Sequence, residues 1–332
     1  MVLRTLLVTV AGVLIAVAPV RAAEKPTAAE VLKINWVNPP RNAPEGVTHH
    51  TFRSRCMDVK VGYNIYLPPA YQAETKRRFP VVYFLHGSQG NESRSLHAAE
   101  TLHAAITAGQ VEPMLMVFAN GGRNSGYIDS VDGTVRPVTM IIEELIPHID
   151  ATYRTRADRG GRGIEGFSMG GGGALRLALL YPEMFGSVVV YGAGGMRELD
   201  EMPTAEDIRS PGNAQRKMEM RKIVHGEDLA HLRETSSYYI AERQRGKVAG
   251  RLPIRVTIGT GDFSLEGAFA TQGRLAELRI PHEFEMLWEV PHNIQQLYQL
   301  VGLKGLRHHE AVFRAAQAEA GAPAPGSGDA GL

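Results

Sequence analysis

Apolar residues fall along this chain in short unbroken runs, separated by longer stretches where they recur every three or four positions. Phe79–Leu85, Met114–Phe118 and Ser187–Tyr191 are runs of the first kind. Their length and β-branched or aromatic content predict strands buried on both faces of a sheet. Two alternating segments, Thr51–Met57 and Val59–Leu67, predict further strands, the second stopped by Pro68-Pro69. Ser93–Ile106 and Thr139–Tyr153 predict helices, and in the latter Ile141, Ile142, Leu145, Ile146 and Ile149 share one face. A short strand around Ile164 leads into a helical run, Ala174–Leu180, which stops before Pro182. Arg255–Gly259 and Phe284–Val290 read as late strands flanking a helix over Leu265–Leu278, and a final helix runs from about Ile294 to Ala318. Strands alternating with helices imply an α/β fold: a mostly parallel central sheet with helices on both faces. Ligands of such sheets bind outside the carboxyl ends of the strands.

The ends of the chain have a different texture. Arg4, the apolar stretch Leu6–Val17 and Val20-Arg21-Ala22 have the order of a secretory signal, so residues 1–22 are expected to be removed on export to the periplasm or medium. That apolar run is shorter than the ~20 residues a membrane-spanning helix needs, so no stable membrane insertion is expected. Residues 23–48, rich in Pro, Asn and Ala, form an extended lead-in. Residues 49–318 make one domain, with a charged, Met-rich helical insertion at about 196–250. The Gly, Pro, Ala and Ser of residues 319–332 predict a disordered tail.

Composition narrows the function classes. The hydrophobic fraction of 44% and charged fraction of 21% are ordinary for a globular protein. Loss of residues 1–22 removes Arg4 and Arg21 and no acid, turning the formal charge of +1 into −1, which leaves no basic excess for nucleic acid. Cys56 is the single cysteine, so no internal disulfide can form, and its alternating surroundings place it on a half-buried strand.

Gly166-Phe167-Ser168-Met169-Gly170 sits between the Ile164 strand and the helix that follows. A G-x-S-x-G turn in that context lifts a serine hydroxyl clear of the sheet and aims the next backbone N–H, that of Met169, at a developing oxyanion. A serine hydroxyl needs a base, and histidine is the usual one. Among twelve histidines, His292 follows a late strand at its carboxyl end, after Pro291. His86 also lies at a strand end but precedes Gly87, while His49, His50, His308 and His309 stand paired in polar segments and are expected at the surface. The adjacent pair His308-His309 points apart on a helix, so no metal site is expected. Asp262 follows Val256-Thr257-Ile258-Gly259 at another strand end and suits the carboxylate that orients the histidine. The second oxyanion donor is assigned to Ser88 N–H, in Leu85-His86-Gly87-Ser88. Tyr127 and Phe263 flank these loops and are candidate substrate contacts. The order serine, aspartate, histidine is that of α/β-hydrolases.

Several runs together carry a family resemblance: Tyr66-Leu67-Pro68-Pro69, Phe84-Leu85-His86-Gly87, Glu144–Asp150, Tyr153-Arg154-Thr155, Gly166–Gly171 and Pro281-His282-Glu283-Phe284. Over roughly residues 50–315 the chain resembles the putative-esterase family of α/β-hydrolases, which includes feruloyl esterases, enterochelin esterases, esterase D type S-formylglutathione hydrolases and mycolyltransferases. The resemblance implies a carboxylic ester hydrolase with a Ser168–His292–Asp262 triad, Ser88 and Met169 as oxyanion donors, no cofactor, and a small-molecule or carbohydrate-linked ester as substrate. It leaves the ester unspecified. Two alternatives share the fold: an acyltransferase using the same triad, and an inactive secreted binding protein. The run Gly161–Gly166 formally matches the dinucleotide fingerprint G-x-G-x-x-G, but a polar segment, Arg154–Arg159, stands where a strand is required.

Overall fold

The computed structural model describes residues 26–196, 222–226 and 229–321. The expected signal at 1–22, much of the expected insertion at 196–250 and the tail beyond 321 lie outside the described residues.

Eight strands form one sheet: β1 (Val47–Ser54), β2 (Val59–Tyr66), β3 (Val81–Leu85), β4 (Leu115–Ala119), β5 (Arg162–Phe167), β6 (Ser187–Tyr191), β7 (Ile254–Gly261) and β8 (Glu283–Pro291). Their order is β1-β2-β4-β3-β5-β6-β7-β8. β2 pairs antiparallel with both β1 and β4, and every other pair is parallel. This is the mostly parallel α/β sheet expected from the alternation of strands and helices.

The unbroken apolar runs occupy the middle of the sheet because each of their residues meets a covering helix. Along β3, Val81, Tyr83 and Leu85 pack on one face, with the helices Pro137–Thr152, Met169–Leu180 and Ser237–Val248. Val82 and Phe84 pack on the other, with the helices His97–Thr107 and Ile294–Gly321. This alternation is the period of two inherent in a strand.

Local departures from the sequence reading have physical reasons. Cys56 lies in the turn between β1 and β2 and not on a strand, because Glu144 draws the turn inward by accepting from the Arg55 and Cys56 N–H groups, both at 2.9 Å. The lead-in is not wholly extended: Ala28–Leu32 is a short helix closed by a capping box between Thr27 and Glu30. The last helix continues to Gly321.

His309 is fully buried, and His308 largely so, instead of lying at the surface. His309 Nδ1 is 2.6 Å from Ser187 Oγ, and its Nε2 faces the buried carboxylate of Glu165 at 3.5 Å. Tyr298 donates its hydroxyl to the other Glu165 oxygen at 2.7 Å. The final helix is therefore stitched to β5, three residues before Ser168, by a polar chain inside the core.

Candidate active site

Four strand ends converge at one edge of the sheet. β5 ends at Phe167, and Ser168 follows with φ 56° and ψ −121°, a left-handed conformation that a residue with a Cβ adopts only under strain. Close approach of neighbouring backbone enforces the turn. A Cβ on Gly170 would sit 2.0 Å from the Leu85 carbonyl oxygen, and one on Gly166 would sit 2.4 Å from the Gly170 oxygen. Ser168 N–H donates to Tyr191 O at 2.9 Å, tying the turn to the end of β6.

β7 and β8 deliver the partners. Gly261 pairs with Pro291 after a register shift that places two extra residues on β8, so Asp262 and His292 directly follow the ends of neighbouring strands. His292 Nδ1 lies 2.9 and 2.8 Å from the two Asp262 carboxylate oxygens. A carboxylate only accepts, so the Nδ1 proton points at Asp262, leaving Nε2 free to accept. Ser168 Oγ donates to that Nε2 at 2.9 Å. The side chains of the three residues singled out in the sequence thus form one continuous hydrogen-bonded chain.

The surroundings hold that geometry. The Asp262 side chain is fully buried. Ser264 donates its backbone N–H to Asp262 Oδ1 at 2.7 Å, and its hydroxyl lies 2.7 Å from the same oxygen. The imidazole of His292 sits between two phenyl rings, with centroid distances of 4.5 Å to Phe167 and 4.1 Å to Phe263. Neither Ser264 nor Phe167 was singled out in the sequence. Phe167 could have been found as the residue preceding the nucleophile position.

A cavity of about 360 Å³ opens at Ser168. Met169, Gly172, Leu175 and Arg176 of the elbow helix line it, with Ile128, Val190 and Phe263. Phe263, 56% exposed, lines the cavity. Tyr127 does not: it is 0% exposed, its hydroxyl donates to His86 O at 3.1 Å, and its ring fills the space beside Gly121 and Gly173. Tyr127 is therefore a packing residue of the loop after β4, not a substrate contact.

The two expected oxyanion donors occupy the rim differently. Met169 heads the elbow helix, where backbone N–H groups have no intrahelical acceptor, and it lines the cavity. Ser88 is exposed, in a turn closed by Gly90 N–H to Gly87 O at 3.1 Å. The preceding Gly87 lies against the elbow, since a Cβ there would come within 3.4 Å of Ser168 Cβ. His86 is buried, with Nδ1 donating to Gly87 O at 2.9 Å and Nε2 accepting from Gly121 N–H at 3.2 Å. Both nitrogens are spent on backbone, and burial pulls its pKa down to about 4. His86 braces two loops. Among the described residues no group of three His, Cys, Asp or Glu side chains could hold a metal ion.

Residues 54–195 match the family model described as putative esterase. Over that stretch the chain is similar to the putative-esterase family. An esterase of Mycobacterium tuberculosis is 34% identical over 143 residues, 42% of this chain and 30% of the relative. An endo-1,4-beta-xylanase/feruloyl esterase of Xylanibacter ruminicola is 35% identical over 144 residues, 41% of this chain and 20% of the relative. The chain thus spans under a third of either curated relative's length. Among solved structures, a ferulic acid esterase superposes with a TM-score of 0.65 at 22% identity, covering 80% of this chain and 98% of that one. An S-formylglutathione hydrolase from Agrobacterium tumefaciens gives 0.65 at 18% identity, with 82% and 98% covered. At these identities the two structures speak for the fold alone, that of α/β-hydrolases.

Proposed function

We propose that this protein is an exported serine esterase that cleaves a carboxylic ester, feruloyl-esterase-like, through an acyl-enzyme. The observation that carries the reading is the Ser168 Oγ contact of 2.9 Å with His292 Nε2, on an imidazole whose other nitrogen faces Asp262. His292 takes the Ser168 proton as Oγ attacks the ester carbonyl, and buried Asp262 stabilises the imidazolium that forms. The Met169 and Ser88 N–H groups receive the oxyanion, each such donor being worth about 2.7–4 kcal/mol in comparable sites. The imidazolium then protonates the departing alcohol, and water, activated by the same nitrogen, releases the acid. The strained Ser168 backbone supports this reading, since strain of this kind clusters where a nucleophile is held ready. The match of residues 54–195 to the putative-esterase model supports ester chemistry, and the Xylanibacter relative supports a feruloyl-type acyl group.

The test is fluorophosphonate labelling together with hydrolysis of 4-nitrophenyl acetate. Wild type labels and turns over, while Ser168→Ala does neither and keeps its circular dichroism spectrum. Turnover by Ser168→Ala equal to wild type would remove the assignment. N-terminal sequencing of the protein recovered from the producing cell, with a start just past residue 22, checks export.

A further inference from the structure

Arg176 lies two turns along the elbow helix from Ser168 and lines the same cavity. Its Nε donates to Thr235 O at 2.7 Å and its Nη1 to Gly126 O at 2.6 Å. Those carbonyls use part of the guanidinium fork but do not neutralise its charge, and among the described residues neither a carboxylate nor any other acceptor engages Nη2. Burial lowers its pKa to about 10, so it is still a cation at neutral pH. A partly buried cation with no counter-charge among the described residues is costly, and an anion arriving from solvent would relieve that cost. The remaining lining fits a ligand with an apolar middle: Ile128, Met169, Leu175 and Val190 line the same cavity as Ser168 and Arg176. Among the described residues the acid lining the cavity is Glu266, whose side chain reaches solvent and has an interaction of its own.

We propose that Arg176 selects esters carrying a carboxylate on the part that fills this cavity, held at a distance from the carbonyl by an apolar spacer. The spacing follows from the helix: eight residues rise about 12 Å, and an arginine side chain leans back toward the helix start, so the gap to be bridged is roughly 8–12 Å. The guanidinium fork matches the two oxygens of a carboxylate better than a single acceptor. The inference rests on the esterase reading and adds a substrate class to it.

The carboxylate could belong to the acyl half or to the alcohol half, so the experiment has two arms. One measures kcat/KM for 4-nitrophenyl hemi-esters of succinate, adipate and suberate against their neutral methyl esters. The other compares acetyl esters of ω-hydroxy acids with their methyl esters. In one arm wild type should prefer the charged member at least about tenfold, as expected for a hydrogen bond to a charged group, and most at the longer spacers. Arg176→Gln should bring that ratio close to one, and Arg176→Lys should restore part of it. Fluorophosphonate labelling of each variant reports whether the site is still assembled. Equal turnover of charged and neutral esters by wild type in both arms overturns the assignment of Arg176 alone. Absence of any ester turnover and of labelling overturns the esterase reading and this inference with it.

Discussion

Gly261 pairs with Pro291 across the irregular end of the β7–β8 ladder, and the residue after each is Asp262 and His292. The acid and the imidazole therefore meet because of strand register, with no long loop to order. Replacing Asp262 by Asn puts an amide donor opposite Nδ1 and favours the tautomer whose Nε2 carries the proton, which cannot accept from Ser168. We expect Asp262→Asn to lower kcat by about 10⁴ with little change in KM. Burst-phase kinetics with 4-nitrophenyl acetate would show the acylation step slowed. A variant within tenfold of wild type would mean that Asp262 serves only to cap the Ser264 turn.

His86 makes stability pH-dependent in a direction that can be worked out. Burial holds its folded pKa at about 4, against 6.5 for an unperturbed imidazole. Between those values the unfolded chain binds the extra proton, so the contribution is complete above about pH 6.5 and is lost as pH falls toward about 4. At about 1.4 kcal/mol per unit the loss is on the order of 3 kcal/mol. Urea unfolding of wild type and His86→Gln at about pH 7 and about pH 4.5 isolates this group, because other titrations are common to both. The variant should start less stable and lose less on acidification. Parallel losses would show that His86 is not the group responsible.

The sheet was legible because its middle strands are apolar on both faces, a pattern no surface segment reproduces. The candidate chemistry was legible for a related reason: in a parallel sheet the carboxyl ends share one edge, so Ser168, Asp262 and His292 could be joined without knowing any side-chain contact. What stayed hidden depends on contacts distant in sequence. His309 lies in a polar-looking helix, yet it is buried because Glu165 and Ser187 wait for it on β5 and β6. Tyr127 flanks the site in sequence, but its hydroxyl turns to the backbone of His86. Arg176 looks like the solvated face of a helix until the loop carrying Gly126 and the end of the helix Leu229–Thr235 are folded over it.

Tyr298 tests the polar chain in the core. Its hydroxyl is the hydrogen-bond donor to Glu165, whose other oxygen has no hydrogen bond and faces His309 at 3.5 Å. Tyr298→Phe keeps the ring and strands a buried carboxylate. Leaving such a group unsatisfied should cost about 1–3 kcal/mol, read from the urea midpoint at unchanged m-value. An unchanged midpoint would mean that water or a shifted His309 replaces the hydroxyl.

Gly170 and Gly172 stand two residues apart on the elbow helix and should respond oppositely to the same methyl group. At Gly170 a Cβ would lie 2.0 Å from the Leu85 carbonyl oxygen and 2.6 Å from that of His86, both backbone atoms that cannot swing aside. Gly170→Ala must push the helix off β3, carrying Ser168 with it. We expect a loss of about 3 kcal/mol or more, with fluorophosphonate labelling slowed even where the variant folds. At Gly172 nothing lies within 4 Å of the added Cβ. Gly172→Ala removes a helix-interior glycine at no steric cost and should gain about 0.5–1 kcal/mol. Urea denaturation of the two variants side by side decides the point: if Gly170→Ala is as stable as Gly172→Ala, the tight seating of the elbow against β3 does not set the position of Ser168.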